Sequence, residues 1–154
     1  MAMVIDKMTD NKGNSKKAGM EIRCDCDSVI IEFSKPPIVS LYCHCQDCRD
    51  LTKAAFYSGV AFETTQMSIT RGEDCINKYE FKKHQLKRHF CRNCGNFLYA
   101  INRLGLITTS AYNFSDKSND NINPNCHLFY GERVIDMSDN LIKYDKGTDP
   151  HIDQ

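Results

Sequence analysis

Seven of the nine cysteines in this 154-residue chain fall into three tight groups. They are Cys24 with Cys26, then Cys43, Cys45 and Cys48, then Cys91 with Cys94. Thiolate sulfur is a soft donor that suits zinc better than harder metals. Two thiols at i and i+2 on an extended segment face one side of the chain, and a C-x-x-C turn can grip a single ion. A structural zinc site closes with four ligands, whereas a catalytic one keeps a position open. Seven sulfurs therefore divide as four plus three. Cys24, Cys26, Cys91 and Cys94 can close one cage, and its role would be structural. Cys43, Cys45 and Cys48 give three corners of a second site. Its fourth corner can take a small thiol, held as the nucleophilic thiolate, or a water, or a group of this chain. Cys75 and Cys126 stand alone and read as small buried hydrophobes.

Neighbouring residues extend this chemistry. On an extended segment His44 points away from Cys43 and Cys45, so it is expected in the core or behind the ligands rather than on the ion. Asp47 and Arg49 are solvated charges, or they steady the thiolates by hydrogen bonds. His127 is a candidate proton shuttle, its unperturbed pKa being about 6.5; a structural histidine is the plainer reading. The basic stretch at 82–89, with Lys82, Lys83, His84, Lys87, Arg88 and His89, can meet phosphate, nucleic acid or the carboxylates of a small acidic ligand. The chain balances 20 basic against 20 acidic residues. That neutrality favours a solvated face and argues against a nucleic-acid partner.

The elements that must position these groups are short. Residues 1–18 are polar and are expected to form a mobile tail, with one domain over 19–145 and a second tail at 146–154. Strands are expected at 20–23, 28–33, 38–42, 57–62, 67–70, 75–81, 86–90, 97–101, 106–109 and 126–130, from their β-branched and alternating content. A single helical turn is expected within 49–56, and a polar loop over 110–124. Cys91 to Cys94 reads as a metal knuckle in which Gly95 supplies the positive φ. With no long helical period, the class is all-β. No apolar run approaches the roughly 18 residues of a membrane span. The N-terminus lacks the apolar centre of a secretion signal, and free clustered thiols suit a reducing compartment, so the expected location is cytoplasmic.

Four motifs in order carry a resemblance: Cys24 and Cys26; Tyr42-Cys43-His44-Cys45-x-x-Cys48-Arg49; Phe90-Cys91-x-x-Cys94-Gly95; and Pro124-x-x-His127-x-Phe129. The chain resembles the glutathione-dependent formaldehyde-activating enzyme family, to which centromere protein V belongs. The resemblance implies a β-tent fold of several small coiled antiparallel sheets and two zinc ions per chain. Cys24, Cys26, Cys91 and Cys94 would hold the structural ion, and Cys43, Cys45 and Cys48 the catalytic one. It also implies a carbon–sulfur lyase that forms or cleaves S-hydroxymethylglutathione, with glutathione or a similar small thiol and a small aldehyde as partners. Asp27 and Lys53 stand where the family usually has glycine, and the chain has no tryptophan. The alternative from another class is a non-catalytic zinc-stabilised module that binds protein or nucleic acid. A redox or zinc-sensing role is a third. A homodimer is compatible with the sequence.

Overall fold

The computed structural model describes residues 20–81 and 86–147. The expected tail at 1–18 lies outside them, as do Lys82, Lys83, His84 and Gln85 and most of the C-terminal tail.

Alternation writes the first sheet. In β1 (Met20–Arg23) Met20 and Ile22 are buried, and in β2 (Ile30–Phe33) Ile31 and Phe33 are completely so. These strands pair antiparallel, and β2 also pairs antiparallel with β5 (Met67–Arg71). The second sheet is larger. It takes in β3 (Val39–Cys43), β4 (Tyr57–Phe62), β6 (Ile76–Phe81), β7 (Leu86–Cys91), β8 (Phe97–Ile101), β9 (Ile107–Ser110), β10 (Cys126–Leu128) and β11 (Ile142–Lys143). Its spatial order is β11-β10-β3-β4-β9-β8-β7-β6. The protein is mainly β, as expected. Beyond that expectation, the large sheet is mixed at one end, where β10 runs parallel to both β3 and β11.

The core lies where the inner face of the small sheet meets β4, β8 and β9. Phe33 stacks on Phe62 at a centroid distance of 4.0 Å, and Phe114 leans on both. Ile22, Leu98 and Ile107 close around them. Each such side chain contributes about 1.5–3 kcal/mol by leaving water. Phe114 belongs to the stretch expected to be a polar loop. The stretch is irregular, but Ala111, Phe114 and Ile122 are buried and pin it across the core. Asn113 secures its start by donating from Nδ2 to Phe97 O at 2.7 Å.

The helix differs from expectation in position. α1 (Gln46–Thr52) starts three residues earlier than the expected turn. Cys45 is the reason: its sulfur accepts the N–H of Cys48 at 3.3 Å and caps the helix. Lys53 ends α1 with φ 53°. The strand expected over 126–130 stops at Leu128, because Phe129 turns to φ 52°. Packing continues past residue 145, since Phe129 N–H donates to Lys146 O at 2.9 Å. No helix among the described residues is long and apolar enough to cross a membrane.

Candidate metal centre and adjoining cavity

The four-sulfur group is built from two turns. Cys24 follows β1, and its sulfur accepts the N–H of Val29 at 3.2 Å. Asp27, at φ 59°, reverses the chain after Cys26. Opposite, Cys91 ends β7, and Gly95 at φ 76° returns its N–H to Cys91 O at 2.8 Å, so the knuckle has the expected form. The sulfurs of Cys24, Cys26, Cys91 and Cys94 all lie within 4.8 Å of one another. Cys24 and Cys26 are 3.6 Å apart, and Cys26 and Cys91 3.7 Å. A tetrahedron of Zn–S bonds about 2.3 Å long places its sulfurs about 3.8 Å apart, so the four fit that ion. Cys24 and Cys91 are buried in the core and Cys26 and Cys94 are exposed, which puts the cage at the rim of the core. Burial pushes the Cys24 thiol up to about 11. The Ser28 hydroxyl, 3.0 Å from Cys26 Sγ, draws that thiol down to about 6.

The three-sulfur group sits where β3 passes into α1. Cys43, Cys45 and Cys48 lie within 4.8 Å of one another, and among the described residues no further His, Cys, Asp or Glu joins them. Cys43 and Cys45 are 3.4 Å apart. Hydrogen bonding from the Cys43 and Cys48 thiols holds Cys45 down at about 3. The same contact with Cys45 pushes Cys43 up to about 12, and Cys48 is raised by its thiol neighbours. Hydrogen bonding within the group thus favours a thiolate at Cys45 over protonated Cys43 and Cys48. A soft cation could take the place of those protons, as metal binding to cysteine requires.

β3 separates this group from a second constellation on its other face. His44 and His127 are completely buried. His44 Nε2 lies 2.8 Å from His127 Nδ1, and His127 Nε2 lies 3.0 Å from both Asp139 oxygens. A carboxylate can only accept, so His127 donates from Nε2, and its Nδ1 shares the second hydrogen bond with His44 Nε2. Burial lowers the pKa of His44, followed by the effect of His127. His44 is thus in the core behind the ligands, as expected. His127 stands with it on that face, against the rings of Tyr42 and Tyr130, rather than among the cavity-lining residues. Asp139, which anchors the chain of hydrogen bonds, gives no signal in a polar stretch of sequence. Arg49 Nε donates to His44 O at 3.2 Å and so fastens α1 to β3.

On the sulfur side of β3 lies a cavity of about 310 Å³. Antiparallel pairing sets its floor: Cys43 faces Tyr57, Leu41 faces Gly59, and Val39 faces Ala61. Directly opposed residues share a face, and all six line the cavity together with Cys45 and Cys48. Leu86, Arg88 and the β8–β9 turn, with Asn102, Arg103 and Leu104, form the opposing wall. Arg88 is the part of the basic stretch that enters the site, where its Nη2 donates to Asp47 O at 3.3 Å. Lys87 on the same strand points outward and is exposed. Tyr57 was hidden in the sequence because tyrosine is an ordinary strand former. Burial, with the Cys48 and Cys43 thiols beside it, holds its phenol well above the usual value and therefore neutral.

Comparison with known proteins agrees with this geometry. The model of the family described as glutathione-dependent formaldehyde-activating enzyme matches residues 19–132. No curated protein matches the chain. A crystal structure of a Rhodobacter sphaeroides protein is similar in fold, with a TM-score of 0.53 and 21% identity over 62% of this chain and 88% of that one.

Proposed function

The chain belongs to the glutathione-dependent formaldehyde-activating enzyme family, and on that premise we propose that it is a zinc-dependent carbon–sulfur lyase. It forms or cleaves the adduct of glutathione, or a similar small thiol, with a small aldehyde. The carrying observation is the asymmetry of the two sulfur groups: four sulfurs at the rim of the core, and three facing a cavity. Cys43, Cys45 and Cys48 would hold zinc, and the ion would supply the Lewis acidity that keeps an incoming thiol deprotonated. The protein's own residues do the rest. The α1 cap and the Arg49 tether fix the three sulfurs relative to β3. Leu41, Leu51 and Leu86 exclude water around the reacting atoms. Arg88 and Arg103, both lining the cavity, offer positive charge to a substrate carboxylate. Holding thiol and carbonyl together converts a bimolecular addition into a local one. In the forward direction sulfur attacks the carbonyl carbon and forms the C–S bond, while the C=O π pair moves to oxygen, which takes up the proton that the thiol gave to solvent. The four-sulfur cage takes no part in that step and holds β1 to the knuckle.

The test is exchange NMR of glutathione with ¹³C-formaldehyde and catalytic amounts of zinc-loaded protein. Interconversion faster than the spontaneous reaction is expected, and Cys48→Ser should abolish the gain. A rate equal to the protein-free control would overturn the proposal.

A further inference from the structure

The cavity floor contains one polar group with no structural role. Tyr57 is 7% exposed, yet its hydroxyl has no hydrogen-bond partner among the described residues. An unpaired buried hydroxyl costs about 1–3 kcal/mol, and native interiors keep few of them. Its placement is nevertheless built. Tyr57 stands directly across from Cys43 on the face that carries the three sulfurs. The ring lies along the strand over Gly59, where an added Cβ would come within 2.6 Å of ring carbon Cε1. Position 59 thus leaves the ring the space it occupies on the cavity floor. Around it the walls are mostly apolar, with Leu41 and Val60 close by. A donor in such surroundings discriminates strongly between ligands that satisfy it and ligands that do not.

We propose that the Tyr57 hydroxyl reads the substrate: it donates a hydrogen bond to an acceptor oxygen, carbonyl or hydroxyl, on the thiol ligand or its aldehyde adduct. This rests on the function proposed above and adds a selectivity to it. The cavity would favour oxygen-bearing thiols, such as peptidic ones, over simple alkyl thiols of similar acidity. No proton need leave the phenol. The group acts as a neutral donor.

The experiment compares zinc-loaded wild type with Tyr57→Phe, full length, in two ways. Calorimetric titration with glutathione and separately with ethanethiol, which carries no oxygen, measures affinity. Thermal melting without ligand measures stability. The variant is expected to bind glutathione about tenfold more weakly, to bind ethanethiol unchanged, and to melt at the same temperature or about 2–4 °C higher. Unchanged glutathione affinity in the variant, with wild type binding normally, overturns the role of Tyr57 and leaves the proposed reaction standing. An equal loss for both thiols, or a lower melting temperature, makes Tyr57 structural and also overturns it. Failure of glutathione to bind wild type overturns both readings together.

Discussion

Replacing Cys94 by serine tests the division of labour between the two sulfur groups most directly. The four-sulfur cage joins chain segments 65 positions apart, as measured between Cys26 and Cys91. Treated as a cross-link, closing a loop of that length removes about 4 kcal/mol of chain entropy from the unfolded state. The same relation applied to the short segment from Cys43 to Cys48 gives about 2 kcal/mol. In a domain of this size each kcal/mol moves the melting temperature by about 2–4 °C. Cys94→Ser is therefore expected to lower it by about 8–16 °C, and Cys48→Ser by about half as much. Each variant should lose one zinc equivalent by elemental analysis. Differential scanning calorimetry on metal-loaded protein, with a chelator-treated control, reads both effects. Equal shifts in the two variants would refute the reasoning, and so would a chelated wild type that melts where the loaded protein does.

Further outcomes follow from individual residues. Lys53 holds φ 53° at the end of α1, a conformation that costs a side-chain-bearing residue about 1–2 kcal/mol; Lys53→Gly should stabilise by about 0.5–1 kcal/mol in urea titrations. Phe114→Ala should cost about 3–5 kcal/mol in the same assay, since its ring packs against Phe33 and Phe62. Partial burial opposes the charge of Asp139, but the Leu141 N–H, Lys143 and His127 outweigh it and lower its pKa. A depressed carboxylate stabilises the fold above its unfolded pKa of about 3.9, and that contribution disappears as pH falls through the folded value. Asp139→Asn should therefore melt below wild type at pH 7, with the gap closing below about pH 4.

The strands were legible where burial on one face leaves an alternation in the residues themselves, as in Met20 to Arg23. The sulfur groups were legible because ligand spacing is a local property. Cys45 as a helix cap was not, since capping is usually signalled by Ser, Thr, Asp or Asn, and the true start of α1 was missed with it. Asp27 and Lys53 are instructive. They occupy positions where the family usually has glycine, and the structure gives both a positive φ; the glycine preference reflects backbone geometry that these side chains tolerate under strain. The parallel seat of β10 beside β3, and with it the link from His44 through His127 to Asp139, depends on contacts over 80 positions apart. No local pattern encodes such a meeting.

The two sides of the cavity come from different parts of the chain. The metal-facing side is β3 and the start of α1, while the opposing wall is largely a hairpin tip around Asn102, Arg103 and Leu104. A tip can be lengthened, shortened or recomposed without moving a sheet's interior. Under the proposed function, related proteins can therefore diverge in what they accept by editing that tip alone, with the three sulfurs and the scaffold kept intact. Grafting tips between relatives is the shortest engineering route to a new aldehyde or thiol preference.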